Sequence, residues 1–375
     1  MKPRKIGIVV NDLIQGGVSQ FLLSYCNQLD YSDFEYQLIV LGGQKDPFIE
    51  DSLRKSGIKI IDFNIPYYNE SNSIGQFVNR LKVSLKKNDS AFNAFVKDLG
   101  LDLLFAHCHI QYVPYLRQTK LPVIFVAHLL ISSKPANPVN FLIQKSCYSF
   151  YLKNTTVITV SESVTRFFHE FKLVNRLTNL YHCPNKTILP AQQINYREKV
   201  ERIVYVARIS TVKNHSELLK AWAILNKKEI TLQLIGPNEL NSQYQSELAP
   251  YLAENIDFLG NRSDVSELLL NADIAVFPSK SEGLPLALLE KMAYGLPVVI
   301  SDIPQLTSII RNDENGLVYS LGNPTELAAK LEILISDCEK RSKLGNAARQ
   351  TVLESYAYAP GEPLTLYEKK INELI

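Results

Sequence analysis

The feature that most constrains the fold is a repeated alternation of short apolar runs with longer helical stretches. In the first half of the chain, these runs predict strands at residues 5–10, 36–41, 58–63, 101–107, 122–128 and 156–161. In the second half, they predict strands at residues 202–208, 230–236, 256–260, 274–279 and 297–301. Runs this rich in Val, Ile and Leu are typical of parallel strands covered on both faces by helices. Two consecutive series predict an α/β protein with two doubly wound, Rossmann-like domains.

The helices predicted between these strands lie at residues 17–29, 73–98, 138–153, 214–227, 241–253, 264–270, 285–294, 324–336 and 340–355. A chain of 375 residues is too long for one ordinary core. The polar segment 183–200, which contains two prolines, separates the two series. We therefore predict a first domain over residues 1–190 and a second over residues 200–355. Because ligands of open α/β sheets bind at the carboxyl ends of strands, we expect the site in a cleft between the domains.

Charge is distributed unevenly along the chain. Residues 1–195 contain 21 Lys and Arg against 14 Asp and Glu, a net charge of +7. Residues 196–375 contain 19 Lys and Arg against 24 Asp and Glu, a net charge of −5. A basic first half is typical of a domain that meets an anionic ligand or surface, although solvated basic faces give the same balance.

The cysteines and the first residues bear on the compartment. The five cysteines are odd in number and have neither CxxC nor metal-like spacing, so they predict reduced thiols in a cytosolic protein. The first apolar run, near Ile6, is only about four residues long. It is too short for a signal peptide or a membrane span and predicts a first strand.

Two strand ends have residues suited to phosphate. Gly16 and Gly17 follow the first strand and lead into an amphipathic helix, whose free N–H groups and positive dipole end favour an anion. The motif is not GxGxxG, so it does not indicate nicotinamide binding, and a Gly-Gly pair also occurs as a plain turn. In the second half, Arg208 at a strand end and Lys213 five residues later form a cationic turn. This turn predicts either diphosphate binding or two solvated surface charges.

The segment 278–301, PSKSEGLPLALLEKMAYGLPVVIS, combines these features in one frame. Glu282 falls in the loop after a predicted strand. A proline in the first helical turn leaves the backbone amides near Gly283, Leu284 and Leu286 available for phosphate or sugar oxygens. Glu290, further along the helix, carries a carboxylate that could accept hydrogen bonds from vicinal hydroxyls. The spacing of the two glutamates alone would carry no weight.

That frame resembles the donor-binding signature of family four of the retaining glycosyltransferases, which have the GT-B fold. The chain departs from the pattern at Lys291, where Ala is usual. The segments GGV, ARISTVKN, GNRSDV and NGLVYSLGNPTELAAKL match the family in the same order, most strongly over residues 200–330. The resemblance implies a last helix, residues 356–375, that packs back on the first domain. Lys186 stands where relatives often have a glycine at the end of that domain.

The resemblance also implies roles for individual residues. Glu282 and the following amides would hold the sugar hydroxyls, Glu290 the ribose, and Arg208 with Lys213 the diphosphate. Gly16 and Gly17 would approach the diphosphate from the other domain. Arg262 would line the base pocket and Gly236 would lie near the nucleotide. His128, at a strand end, would contact the donor sugar or orient the reaction. His107 and His109 lie on the preceding strand, and His109 is a candidate residue on the acceptor side.

The reaction implied is transfer of a hexose, with retention, from a nucleotide diphosphate, most often UDP, to an acceptor hydroxyl. The sequence has no DxD-type cluster at a strand end, so we expect neither a metal nor another cofactor. The expected partners are the nucleotide sugar and a glycan or lipid-linked glycan of capsule, lipopolysaccharide or glycolipid synthesis, and no nucleic acid. Catalysis would depend on Arg208, Lys213, Glu282 and His128.

Residues 73–98 read as a basic amphipathic helix, which either lies on an anionic membrane or packs its apolar stripe into the core. Aromatic and basic residues at 140–154 add to the first alternative, peripheral attachment to the inner face of the cell membrane. Two other functions remain open: a GT-B epimerase or phosphorylase, and a non-catalytic GT-B subunit that binds or stabilises a partner transferase.

Overall fold

The structure is a computed structural model, and the part of it described below comprises residues 3–13, 17–26, 34–42, 45–63, 90–108, 110–128, 146, 148–160, 162–170, 172–177, 179–182, 190, 192–237, 242–262, 264–282 and 285–357. These residues form two compact units, one containing the described residues up to His182 and one containing those from Pro190 onward. Each unit has a parallel sheet with its own buried core. The predicted α/β class with two parallel sheets is therefore confirmed.

The first unit is built on a parallel sheet in the order β3-β2-β1-β4-β5-β6-β7. Its strands are β1 (Arg4–Val10), β2 (Phe34–Val40), β3 (Lys59–Asp62), β4 (Leu103–His107), β5 (Val123–Ala127), β6 (Thr156–Thr159) and β7 (Asn179–His182). Its helices are Gly17–Cys26, Pro47–Lys55, Ser90–Leu99, Val113–Leu116 and Glu162–Glu170, with 3₁₀ turns at Ile110–Tyr112, Arg117–Thr119 and Val174–Arg176. Strands β1, β4 and β5 are almost wholly buried, as their unbroken apolar runs predict.

The second unit has a parallel sheet in the order β10-β9-β8-β11-β12-β13. Its strands are β8 (Arg202–Val206), β9 (Thr231–Ile235), β10 (Ile256–Gly260), β11 (Ile274–Phe277), β12 (Val298–Ser301) and β13 (Leu317–Tyr319). Its helices are His215–Leu225, Ser242–Leu248, Val265–Leu270, Leu286–Ala293, Pro304–Thr307, Pro324–Ser336 and Cys338–Ser355, with a 3₁₀ turn at Ala249–Tyr251.

Two strands occur where we predicted none. Strand β7 (Asn179–His182) and strand β13 (Leu317–Tyr319) are the last strands of their sheets, and each pairs with one neighbour. An edge strand needs fewer apolar residues than a central one, and β13 is only three residues long. Such strands give little hydrophobic pattern to detect. The helices Pro47–Lys55 and Glu162–Glu170 likewise lie where we predicted no helix.

The second unit begins earlier than the predicted residue 200. Ile194 N–H donates to the Tyr294 carbonyl at 2.9 Å, and the Tyr196 hydroxyl donates to the Gly295 carbonyl at 2.8 Å. The buried Arg341 donates to the carbonyls of Arg197 and Glu198 at 2.6 and 2.9 Å. These contacts attach residues 192–200, which read as a polar linker, to the second unit.

Several predicted segments lie outside the described residues. They include the greater part of the amphipathic stretch 73–98, which is described only from Ser90, residues 140–145 of the aromatic segment, Lys186, and the C-terminal residues 358–375. Within the described residues, no helix is both long and apolar enough to cross a bilayer.

Candidate active site

Both sheets have a switch point, where successive connections leave in opposite directions. In the first unit it lies between β1 and β4, and in the second between β8 and β11. At such a point the loops leaving two neighbouring strands separate, which opens a crevice at the carboxyl ends of the strands. The strand order therefore gives an expected position for a ligand in each unit, and the predicted site residues can be checked against it.

In the second unit, an ion pair spans the switch point. Lys213 lies in the turn after β8 and Glu282 in the loop after β11. The Lys213 Nζ is 2.6 Å from Glu282 Oε1 and 2.8 Å from Oε2, so the ammonium contacts both oxygens. The Lys213 side chain is 28% exposed and the Glu282 side chain 10%. The structure thus brings together a predicted phosphate ligand and a predicted sugar ligand.

A buried chain of hydrogen bonds holds these two loops in place. The Tyr205 hydroxyl, on β8, donates to the Lys213 carbonyl at 2.8 Å and lies 3.2 Å from the Ser279 hydroxyl. The Ser301 hydroxyl, at the end of β12, donates to the Ser279 carbonyl at 2.6 Å. Burial raises the pKa of Tyr205 well above its usual range, which keeps its hydroxyl protonated as a donor. The loop positions are therefore fixed from inside the unit.

Asn214 forms a second buried link, which sequence reasoning missed. Its backbone is left-handed, with φ 58°. Its Nδ2 donates to Glu217 Oε2 at 2.5 Å and to the Pro278 carbonyl at 3.0 Å. Glu217 Oε1 accepts from the Gly322 N–H at 2.9 Å. The signal in the sequence is weak: an Asn next to a helix start, with Glu three positions later, is common in proteins.

The helix after Glu282 begins at Leu286 and ends at Ala293, with Pro285 at its N-cap position. Leu286 is therefore the first helical residue, where backbone N–H groups lack partners within the helix. Gly283 and Leu284 lie outside the described residues. Further along, Glu290 Oε2 lies 2.6 Å from the Nζ of Lys291, whose side chain is fully buried.

Three other predicted residues of this unit have defined surroundings. Arg208 follows β8 and is partly buried. Arg262 forms a bidentate, largely exposed ion pair with Asp264, at 2.7 and 2.5 Å. Gly236 has φ 144°, and a Cβ there would lie 2.3 Å from the Ala207 carbonyl oxygen. Gly236 is therefore required by the packing of the loop after β9 against the loop after β8.

In the first unit, two histidines meet at the carboxyl ends of β4 and β5. His107 is the last residue of β4 and pairs in register with Val10, the last residue of β1, so it lies at the switch point. His128 follows β5. The Nδ1 of His107 is 2.7 Å from the Nε2 of His128. Sequence reasoning singled out His128 but gave His107 no role. Its signal is its position at the end of a buried strand.

Both imidazoles are neutral at pH 7. Burial lowers the pKa of His107 well below its usual range, with His128 adding to the effect, and lowers the pKa of His128 to about 4. Two neutral imidazoles can share only one proton in the bond between them, so the tautomer of one ring determines that of the other. Gly17 begins the helix after β1, whereas Gly16 and His109 lie outside the described residues.

The described residues contain no group of three or more His, Cys, Asp or Glu side chains arranged to hold a metal ion. Cys26 and Cys108 are buried thiols whose pKa burial raises to about 12. Neither thiol is activated as a nucleophile. The candidate functional groups among the described residues are therefore the Lys213–Glu282 pair, Arg208 and Glu290 in the second unit, and the two histidines in the first.

Comparison with known proteins identifies the family. The model of the glycosyl transferases group 1 family matches residues 190–351, which contain the Lys213–Glu282 pair. An uncharacterized glycosyltransferase of Haemophilus influenzae is 26% identical over 360 residues, covering 92% of this chain and 94% of that protein. These matches support a glycosyltransferase of group 1.

Two further similar proteins complete the comparison. The N,N'-diacetylbacillosaminyl-diphospho-undecaprenol alpha-1,3-N-acetylgalactosaminyltransferase of Campylobacter jejuni is 32% identical over 157 residues, 42% of this chain and 41% of that protein. The structure of Anabaena HepE in complex with UDP and glucose is similar with a TM-score of 0.74 and 18% identity, covering 99% of this chain and 98% of that one. The predicted GT-B fold is confirmed.

Proposed function

We propose that this glycosyltransferase is a retaining hexosyltransferase that uses a UDP-linked sugar. Its acceptor is a hydroxyl of a glycan or lipid-linked glycan in cell-surface polysaccharide or glycolipid synthesis. The observation that carries the proposal is the Lys213–Glu282 ion pair at the switch point of the second sheet. It places a cation and a hydroxyl acceptor side by side, and a sugar diphosphate presents an anion next to hydroxyl groups.

The cations have the larger catalytic task in this proposal. The leaving group is a nucleoside diphosphate, so charge develops on its oxygens as the sugar departs. Fixed positive groups aimed at that charge give the main electrostatic stabilisation. An ammonium has three N–H donors. Lys213 contacts two oxygens of Glu282 and so retains a donor for a phosphate oxygen. We assign a share of this task to Arg208, which follows the same strand.

Glu282 acts on the sugar rather than as a nucleophile. An ionised carboxylate has about four acceptor sites, and the ion pair with Lys213 uses only some of them. The remaining ones can accept from sugar hydroxyls, with Lys213 fixing the plane of the carboxylate. The backbone amides near Gly283, Leu284 and Leu286 would bind the neighbouring oxygens, and Glu290 would accept from the ribose. Gly16 and Gly17 would approach the diphosphate, and Arg262 the base.

Retention follows in this proposal from attack on the same face from which the diphosphate leaves. A phosphate oxygen of the leaving group takes the acceptor proton, so no covalent enzyme intermediate is needed. His128 is neutral at pH 7 and so serves as a hydrogen-bond partner of the sugar rather than as a charged acid. Charge stabilisation comes from Lys213, Arg208 and helix amides, so the proposed reaction needs no divalent cation.

Two relatives support the choice of substrates. The name of the Campylobacter jejuni enzyme specifies an acceptor linked to diphospho-undecaprenol. The Anabaena HepE structure contains UDP and glucose. By analogy we propose UDP as the nucleotide and a lipid-linked or free glycan as the acceptor. The net charge of +7 in residues 1–195 supports reversible attachment to an anionic membrane surface that carries such an acceptor.

The direct test is mass spectrometry of products formed from a panel of UDP-, GDP- and ADP-sugars with membrane lipid extract. We expect a glycosylated lipid or glycan product with a UDP-sugar, and full activity in the presence of EDTA. NMR of the product should show the anomeric configuration of the donor. Inversion, or loss of activity with EDTA, would refute the corresponding part of the proposal.

The non-catalytic alternative predicts a different result. A subunit that only supports a partner transferase would give no product and would not be stabilised by nucleotides. Thermal unfolding measured with each nucleoside diphosphate separates the cases, because a ligand that binds the folded protein raises its melting temperature.

A further inference from the structure

Lys291 is a lysine that lies completely inside the second unit. Its side chain is 0% exposed, and its Nζ lies 2.6 Å from Glu290 Oε2. Lysine is almost never fully buried unless it is paired, because removing an ammonium from water is costly. Glu290 is therefore the counter-ion that makes Lys291 tolerable at this position.

The geometry of the pair is unusual for a helix. Neighbouring residues on a helix do not face each other, and Lys291 is on the buried side with Leu288 and Met292. The contact requires the long lysine stem to turn toward Glu290, whose side chain is 41% exposed. The carboxylate is thus held at the boundary between core and solvent, with one oxygen bonded from the inside.

We propose that Lys291 is a positioning residue that holds the Glu290 carboxylate in the orientation that accepts hydrogen bonds from both ribose hydroxyls of the nucleotide. The inference rests on the proposed function, because it assumes that a nucleotide ribose meets Glu290. A free glutamate on a helix surface has several rotamers, and fixing one of them before binding reduces the entropy lost when the ligand binds. The buried cation does this without occupying the exposed part of the side chain.

The pair also makes single substitutions at Glu290 ambiguous. Glu290→Gln removes the counter-ion and leaves a buried, uncompensated ammonium, so it lowers stability as well as ribose binding. Lys291→Met removes the charge and keeps the length of the side chain, while leaving a carboxylate that is partly exposed to water. The double variant Glu290→Gln/Lys291→Met removes both charges and should regain the stability that Glu290→Gln loses.

The test is isothermal titration calorimetry with UDP and 2′,3′-dideoxy-UDP. Hydrogen bonds to a charged group predict that the wild type prefers UDP by about tenfold or more. We expect Lys291→Met to lose about tenfold in UDP affinity and less than twofold in dideoxy-UDP affinity. The double variant keeps an amide acceptor but no charge, so it should prefer UDP less strongly than the wild type does. Lys227→Met, which breaks the ion pair between Lys227 Nζ and Glu332 Oε1 (3.0 Å), serves as the control and should retain the preference of the wild type.

Each other outcome is informative. Equal losses for both ligands in Lys291→Met would mean that Lys291 acts on the fold and would overturn the inference. Unchanged UDP affinity in that variant would overturn it as well. If the wild type bound UDP no more tightly than dideoxy-UDP, Glu290 would not contact the ribose hydroxyls, and the inference would be overturned. A wild type that binds neither UDP, GDP nor ADP would instead refute the proposed function, and the inference with it.

Discussion

The two switch points have the same topology, but the residues at one are charged and those at the other are neutral. In the second unit, the strand ends have a salt bridge, Lys213–Glu282, within a framework of buried hydrogen bonds. In the first unit, the strand ends have two imidazoles, His107 and His128, whose pKa values are lowered so that both are neutral at pH 7. One arrangement supplies fixed charge, and the other supplies neutral donors and acceptors.

The difference indicates how a doubly wound sheet is specialised. The fold places a crevice at the carboxyl ends of the strands in both units, but only the residues there decide what can bind. An anionic diphosphate is attracted to fixed cations, and Lys213 and Arg208 both lie after β8 in the second unit. Neutral imidazoles suit a polar, uncharged group such as a sugar hydroxyl. In the proposed reaction, charge stabilisation would therefore come from the second unit and orientation from the first.

Lys213→Met should have the largest effect. Removing the cation at the developing charge of the diphosphate should lower kcat/KM by about 10²- to 10³-fold, the range for loss of one transition-state donor. The decrease in kcat/KM is measured by steady-state kinetics, with the donor sugar that the product screen identifies. Lys227→Met is the matched control, because Lys227 is equally exposed and pairs with Glu332. Near-normal activity in Lys213→Met would show that Lys213 does not stabilise the charge that develops on the diphosphate.

Gly236→Ala tests whether the charged strand ends depend on backbone packing. The new Cβ would lie 2.3 Å from the Ala207 carbonyl oxygen, at a φ of 144°. We expect the free energy of unfolding to fall by about 2 to 4 kcal/mol. Trp222, the single tryptophan, lies in the second unit, so its fluorescence during urea unfolding reports the effect.

Gly260→Ala is the control for that measurement. Gly260 also has a positive φ, 62°, but a Cβ at this position would point into open space, with no atom within 4 Å of it. The free energy of unfolding of Gly260→Ala should fall by only about 1 kcal/mol, which is the cost of placing alanine in a left-handed backbone conformation. Equal losses in the two variants would show that φ strain, and not the close approach to Ala207, requires Gly236.

Acidification should distinguish the neutral histidine pair from the charged pair. A histidine whose folded pKa is lowered, as that of His128 is to about 4, contributes stability above its ordinary value of 6.5. That contribution is lost as the pH falls from about 6.5 toward 4, by up to about 1.4 kcal/mol per pH unit for each group. We expect His107→Phe, which keeps a ring in place, to reduce the pH dependence of unfolding measured by circular dichroism.

The exposed His169 provides the control for this series, because His169→Phe changes a histidine on the surface of the same unit. Activity gives a second measurement. Since both site histidines are already neutral at pH 7, kcat/KM should not fall with a midpoint near pH 6.5. Such a midpoint would show that a histidine of the site titrates near its ordinary value and is not kept neutral by burial.

The smallest effect expected concerns the membrane. With its net charge of +7 in residues 1–195, the protein should sediment with anionic vesicles at low salt and be released at high salt. Vesicles of neutral lipid serve as the control. Equal sedimentation with both kinds of vesicle would show that attachment does not depend on the charge of the first half.

Much of the fold could be predicted from the sequence because central parallel strands are continuous apolar runs. Strands β1, β4, β5, β8 and β11 closely match predicted segments. Strands β7 (NLYH) and β13 (LVY) escaped prediction because they have only four and three residues and lie outside any longer apolar run. The attachment of residues 192–200 to the second unit also escaped prediction, because it depends on Arg341, which lies far along the chain from Arg197 and Glu198.

The sequence by itself determined the α/β class, the two parallel sheets and the resemblance to glycosyltransferases, because hydrophobic periodicity and motif spacing are local properties. It also named the residues Lys213, Glu282, Glu290 and His128. Only the tertiary structure decided that Lys213 pairs with Glu282, that Lys291 is buried under Glu290, and that His107 contacts His128. Two of these contacts join strand ends brought side by side by the sheet, and the third depends on which helix face is buried. None of these three contacts can be recognised from a periodicity or a motif in the sequence.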